Sequence, residues 1–128
     1  FIGKGPLWAN RLVHPRAIHH GFLDGNQLEL TIRSGAIFVL PSIYEPWGVV
    51  VNEFAAAGYP LVLSNKVGAR TGLKGKHNAV VFPAANTDAL YLALHEVMSK
   101  TEDERREMGK ESHSLSKKTK LDSNNVLI

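Results

Sequence analysis

The chain has 128 residues, 44% of them hydrophobic, a length and an apolar content that suit one domain with its own core. It has no cysteine, which excludes disulfides and thiolate metal sites and fits a reducing compartment. The net charge of +3 favours anionic ligands or an anionic membrane surface, but no basic and aromatic interleaving points to nucleic acid, and no apolar run approaches the roughly 18 residues of a membrane span.

Phe1-Ile2-Gly3 reads as the end of a strand, so the sequence is expected to start inside a larger domain. Gly3-Lys4-Gly5-Pro6 is a turn that carries one cation, Lys4. Leu7 to Val13 suits a short helix, ended by Pro15. Ala17-Ile18-His19-His20 suits a short strand, with Gly21 to Gly25 as the turn after it. Adjacent histidines on a strand face opposite ways, so His19 and His20 do not suit a shared metal ion. Asn26 to Ser34 has two readings. Leu28, Leu30 and Ile32 alternate as in a strand; Leu28 and Ile32 are also spaced as in a helix, with Asn26 as its N-cap.

The organising stretch follows. Ala36-Ile37-Phe38-Val39-Leu40 is a short apolar run of the kind that forms a buried parallel strand. Pro41-Ser42 ends it, and Pro46 forbids a helix through the loop. Gly48 opens a predicted helix and Gly58 closes it, despite the poor helix propensity of Val49-Val50-Val51. Pro60-Leu61-Val62-Leu63-Ser64 begins another buried strand. Strand, loop, helix and strand in this order place a ligand at the carboxyl end of a parallel sheet. The N–H groups of Gly48, Val49 and Val50 at the helix N-terminus suit a phosphate. Glu45 in the loop and Glu53 one turn into the helix would repel that phosphate, so both are expected to accept from sugar hydroxyls. A diphosphate flanked by two diol-bearing sugars, a nucleotide-sugar, satisfies all of these groups.

Asn65 to Lys76 is a loop rich in glycine and cations, among them Lys66 and Arg70. Asn86-Thr87-Asp88 caps a helix whose buried face is Leu90, Ala93, Leu94 and Val97. Thr101-Glu102-Asp103-Glu104 is a capping box that opens a second helix. That helix offers little apolar surface besides Met108 and Leu115 and reads as solvated.

Glu45 and Glu53, set in P-S-x-Y-E-P-W-G-V-V-V-N-E-F-A-A-A-G-Y-P, resemble the E-x7-E signature of retaining GT-B glycosyltransferases. The likeness is greatest to the large family of sucrose synthase-like, glycogen synthase-like and lipid-sugar α-glycosyltransferases. It implies an α/β fold with a doubly wound, Rossmann-like parallel sheet, the incomplete C-terminal half of a GT-B fold. Residues 1–128 would form a single nucleotide-sugar-binding domain, with a terminal helical segment over about 101–128. Carried onto this sequence, Glu45, Trp47, Gly48 and Val49 face the donor sugar, the Val49 and Val50 amides face the diphosphate, and Glu53 holds the ribose. Trp47 stands where most members have Phe; His77 to Pro83 resembles the family's N-G-x-x-f short strand, with Ala79 in place of the usual Gly. The G-x-G-P segment would bring Lys4 near the phosphates, Ile18 to His20 would lie near the base, and Lys66 and Arg70 would lie over the donor. The likeness favours a helix over Asn26–Ser34, with Arg33 near its C-terminus, and it leaves Val126-Leu127-Ile128 leading toward a partner domain.

The implied reaction moves a sugar from a nucleoside diphosphate to an acceptor hydroxyl with retention. It uses no metal and no cofactor beyond the donor substrate. Implied partners are the nucleotide-sugar and an acceptor-binding N-terminal domain of the same protein, with no nucleic acid. The implied location is cytoplasmic, with room for peripheral membrane contact. The fragment alone is expected to be inactive and to bind nucleotide weakly. Two other readings share the architecture: a non-catalytic nucleotide-sugar-binding module, and a GT-B epimerase or phosphorylase-like enzyme.

Overall fold

A computed structural model of the chain describes residues 1–32, 37–75 and 77–125. Arg33, Ala36, Lys76 and Val126-Leu127-Ile128, each given a place above, lie outside the described residues. The chain divides into two compact units, Phe1–Ser34 and Gly35–Ile128.

In the first unit the helix expected over Leu7–Val13 shrinks to one 3-10 turn, Trp8–Asn10. The strand expected over Ala17–His20 is not a regular strand. Residues 17–20 form no regular element; His20 N–H donates to Phe1 C=O at 2.9 Å, and Gly3 N–H donates to Gly21 C=O at 2.7 Å. Helix α1 is Gly25–Ile32, which decides the two-way reading in favour of helix. Its cap is Asp24 rather than Asn26. The Asp24 carboxylate accepts from Gln27 N–H at 2.9 Å, and the Gln27 side chain accepts from Asp24 N–H at 3.1 Å, a reciprocal capping box.

The second unit is a three-stranded parallel sheet in the order β1 (Phe38–Leu40), β2 (Leu61–Ser64), β3 (Ala79–Phe82). Strand β2 is central, and all of its residues are buried. Side chains alternate across a strand, so the register sorts the sheet into two faces. Val39, Val62, Val80 and Phe82 share one face and pack against α4 (Thr87–Met98) through Ala93, Val97, Leu90 and Leu94. On the other face Phe38 stacks on Phe54 of α2 (Val49–Ala56), ring centroids 4.0 Å apart. Helices therefore cover both faces, as a doubly wound α/β sheet requires. The capping residues Asn86 and Thr101 are where the sequence puts them. The Asn86 side chain accepts from Ala89 N–H at 2.8 Å, and Thr101 and Glu104 bond reciprocally at the start of α5 (Glu102–Asn125).

Helix α5 departs from the solvated reading. Met108, Gly109, Ser112 and Ser116 are buried along one stripe at helical spacing. Apart from Met108, which joins the core of Val62, Phe82, Ala93 and Val97, the stripe is small and polar, so a search for apolar residues passes over it. It seats α5 against α2 and α3 (Arg70–Leu73). A Cβ on Gly109 would stand 2.1 Å from the Gly58 carbonyl oxygen, so the two backbones meet there without side chains between them. Ser112 also accepts from buried Asn78, whose amide in turn donates to Leu73 C=O at 2.7 Å and accepts from Gly75 N–H at 2.6 Å. That network satisfies the interior polar groups of the bend before β3, where Ala79 begins the strand directly.

Candidate functional site

The carboxyl end of β1 leads into the loop 41–48, and the loop's form is set by its neighbours. Ser64, at the end of β2 and fully buried, donates its hydroxyl to Ser42 C=O and accepts from Lys66 N–H at 3.2 Å. Glu45 N–H donates to Lys66 C=O at 3.3 Å, and Gly68 N–H donates to Glu45 C=O at 2.8 Å, giving a short parallel bridge between Glu45 and Val67. The sheet thus continues for one residue beyond β1 and β2 and fixes where Glu45 sits. A Cβ on Gly68 would lie 1.7 Å from the Pro46 carbonyl oxygen, so only glycine lets the two loops come this close.

Gly48 is the N-cap of α2 and holds φ 63° and ψ 44°, the left-handed conformation. A Cβ there would meet Val67, Ala69 and Val51 at 3.0 to 3.3 Å, so both conformation and space call for glycine. Its N–H is not open to a phosphate, as the sequence reading has it: it donates to the Glu45 carboxylate at 2.9 Å. One Glu45 oxygen therefore braces the turn that starts the helix. Val49 and Val50 stand in the first turn, where N–H groups have no partner within the helix.

Burial decides the direction of α2. Val51, Phe54 and Ala55 are buried, and Val51 is 0% exposed, so packing overrides the low helix propensity of the valine run. Glu53 and Val49 share the outer face, one turn apart, and both are exposed. Helical side chains lean toward the N-terminus, so Glu53 leans back over the turn that Glu45 braces. The helix ends in a Schellman motif. Tyr59 N–H donates to Phe54 C=O at 3.1 Å, Gly58 N–H to Ala55 C=O at 3.0 Å, and Gly58 takes φ 82°. The rings of Tyr59 and Phe54 meet edge to face at 5.2 Å, the apolar contact that accompanies this ending.

The second unit thus brings Glu45, Trp47, Gly48, Val49, Val50, Glu53 and Lys66 to one end of its sheet. Trp47 is 78% exposed and Lys66 is exposed, with its backbone bonded to Glu45. Arg70 Nε donates to Asn65 C=O at 3.1 Å, within its own loop. Lys4, Ile18 and His19 belong to the first unit. There the Lys4 ammonium lies 5.8 Å from the Trp8 ring centroid, His19 bonds Leu12 C=O at 2.7 Å and stacks on Phe1, and Ile18 is exposed. Among the described residues no group of three or more His, Asp or Glu is placed to hold a metal ion. No helix among them is long and apolar enough to cross a membrane. Sequence reasoning missed Ser64, Val67 and Gly68, which hold the site without standing in its motif. Only the glycine content of the loop after β2 hinted at a close approach.

A model of the family described as glycosyl transferases group 1 matches residues 7–115. An uncharacterized glycosyltransferase of Methanocaldococcus jannaschii is 32% identical over 87 residues, which are 68% of this chain and 22% of that protein. A glycogen synthase of Mycobacterium tuberculosis is 51% identical over 45 residues, 35% of this chain and 11% of that enzyme. The chain thus spans a minor part of the curated relatives it matches. Among solved structures, sucrose-phosphate synthase from Thermosynechococcus elongatus superposes with a TM-score of 0.72 at 24% identity, over 80% of this chain and 25% of that one. The catalytic domain of starch synthase IV from Arabidopsis thaliana, bound to ADP and acarbose, gives a TM-score of 0.64 at 16% identity, over 86% of this chain and 27% of that one. At these identities the structural likeness speaks for the fold, and the family match covers most of the sequence. The chain belongs to the glycosyl transferases group 1 family, which is built on the GT-B fold.

Proposed function

We propose that this chain is the donor-binding part of a retaining glycosyltransferase that takes a nucleoside-diphosphate sugar. The observation that carries the reading is the brace between the Glu45 carboxylate and the Gly48 N–H at 2.9 Å. It holds an acidic side chain at the start of α2 with one oxygen engaged and the other available to a sugar hydroxyl. The Val49 and Val50 amides, at the positive end of the helix dipole, receive the diphosphate. Glu53, one turn further on, accepts from the ribose diol. Trp47, exposed beside the brace, covers the sugar. Lys66, whose backbone carbonyl accepts from Glu45 N–H, meets the anionic donor.

Bond-breaking between sugar and diphosphate develops charge on the leaving phosphate. Preorganised amides and cations stabilise that charge without a metal ion. The acceptor, whose hydroxyl takes the sugar, is held by an N-terminal domain of the same protein. Support for a nucleotide donor comes from two structural neighbours: starch synthase IV was solved with ADP, and an Escherichia coli protein of TM-score 0.66 with UDP-2-fluoro glucose. A cytoplasmic setting belongs to the same reading and is supported by the cysteine-free sequence, which fits a reducing compartment; peripheral contact with an anionic membrane surface is supported by the net charge of +3.

The test is turnover by the whole protein with UDP-, GDP- and ADP-sugars, with product anomers read by NMR. Transfer with retained configuration that survives chelation is the expected result. An inverted product, or complete loss of activity with EDTA that metal restores, contradicts the proposal. Binding of nucleotide-sugar with no transfer to any acceptor favours a non-catalytic module.

A further inference from the structure

The ladder between β1 and β2 breaks off where the site begins, and a side chain spans the break. Phe38 N–H donates to Pro60 C=O, so the rungs on this side fall to residues 38 and 40 of β1 and to residues 60, 62 and 64 along β2. Continued at the same spacing, a later rung would run from Lys66 N–H to Ser42 C=O. The Ser64 hydroxyl stands between these two groups instead. It accepts from Lys66 N–H at 3.2 Å and donates to Ser42 C=O, so one oxygen relays the rung between the two backbones. Ser64 ends a strand otherwise made of Leu61, Val62 and Leu63 and is 0% exposed. A hydroxyl buried there is costly unless its bonds are made, and this one is used both as donor and as acceptor.

The break has a cause in the residue count. Leu40 pairs with Leu63 and Glu45 bridges to Val67, so the chain after β1 takes five steps where the chain after β2 takes four. One extra residue on one strand is a bulge, which re-aims the side chains beyond it. In a regular continuation Tyr44 would stand opposite Val67, and Glu45 would turn to the other side. The extra residue exchanges them. Glu45 takes the bridge position and its carboxylate accepts from Gly48 N–H at 2.9 Å, while Tyr44 is exposed.

We propose that Ser64 is the positioning residue of this bulge: its hydroxyl sets the register at which the sheet resumes and thereby aims the Glu45 carboxylate. Ser64 touches no substrate and acts through Glu45. Its effect on transfer rests on the reading of Glu45 as a ligand of the donor sugar. Its effect on register stands apart from that reading, because the Gly48 N–H reports the aim of Glu45 directly.

The experiment compares the whole protein with its Ser64→Ala, Ser64→Thr and Ser64→Val variants. The last two add similar bulk, and only Ser64→Thr keeps a hydroxyl. The readouts are amide hydrogen exchange at Gly48, turnover of UDP-, GDP- and ADP-sugars, and affinity for UDP, GDP and ADP. For Ser64→Ala the expected result is exchange at Gly48 faster by at least about tenfold and turnover at saturating donor lower by at least about tenfold, with diphosphate affinity within about twofold. Ser64→Thr retains at least about tenfold more turnover than Ser64→Val. In a Glu45→Gln background, Ser64→Ala lowers turnover by less than a further twofold or so, because the group it aims is already changed. Unchanged exchange at Gly48 in Ser64→Ala overturns the proposal. So does equal turnover in Ser64→Thr and Ser64→Val, or a full further loss in the Glu45→Gln background. An equal fall in turnover and diphosphate affinity overturns it too, since that reports a loosened fold. If the wild-type protein transfers no sugar, the donor-site reading fails, and exchange at Gly48 alone decides the register.

Discussion

Helices α2 and α5 pack against each other and are built on opposite principles. Helix α2 is short and apolar. It holds itself by burial of Val51, Phe54 and Ala55 and by glycine at both ends. Helix α5 is long and charged, and it buries Gly109, Ser112 and Ser116 with Met108 as its one large apolar anchor. The first gains from apolar area removed from water, the second from close approach and hydrogen bonds. A helix can therefore be central to a domain while looking solvated to any hydrophobicity scale, and only the partner surface reveals it.

Substitutions can break this contrast. The largest expected effect is on α2: Phe54→Ala removes the ring stacked on Phe38 and Tyr59 and should cost about 3–5 kcal/mol in urea unfolding. Gly109→Ala comes next. It adds only a methyl group, but the added carbon would stand 2.1 Å from the Gly58 carbonyl oxygen, so a loss of about 2–3 kcal/mol is expected. A truly solvated helix would gain stability from the same change, by about 1 kcal/mol of helix propensity. The sign of this one measurement thus separates the two readings of α5. Gly58→Ala should cost about 1 kcal/mol, because φ 82° strains any residue with a Cβ.

The smallest effect concerns the α5 capping box. Hydrogen bonds from the Thr101 backbone and side chain hold the Glu104 carboxyl below the usual carboxylate range. A depressed native pKa means that the unfolded chain takes up the proton first as pH falls. The contribution of Glu104 is therefore complete above the ordinary carboxylate pKa and fades as pH drops through the lowered native value. Acid titration of stability should show this fade in wild type, a smaller fade in Thr101→Ala, which keeps the backbone N–H and loses only the hydroxyl, and none in Glu104→Gln.

The same contrast explains what the sequence made legible. Short apolar runs beside proline named β1 and β2, because a buried parallel strand needs little else, whereas β3 was legible through the family likeness. Gly48 and Gly58 marked the ends of α2 because left-handed backbone is nearly a glycine property. Asn86 and Thr101 marked two further helix starts through local side-chain chemistry. The misses were contacts between distant parts of the chain. Gly68 against Pro46, and Ser64 against Ser42, leave no local pattern. The Asp24 cap was passed over in favour of Asn26, although Asp24 with Gln27 three positions on is itself a capping-box pattern. The site stretch was readable as a motif. The use of the Gly48 amide by Glu45 was not, because a one-residue extension of the sheet sets the direction of that carboxylate.

The account turns on the two glutamates doing different work at the ends of one donor. The most direct measurement is the affinity of the whole protein for its nucleoside diphosphate, and its turnover of the matching sugar donor, in Glu45→Gln and Glu53→Gln. The glutamine at position 45 keeps an acceptor for the Gly48 N–H and removes only the charge. The account predicts that Glu53→Gln weakens diphosphate binding by about tenfold, whereas Glu45→Gln leaves that affinity within about twofold and lowers turnover by at least about a hundredfold. Small and equal effects of the two changes would contradict it.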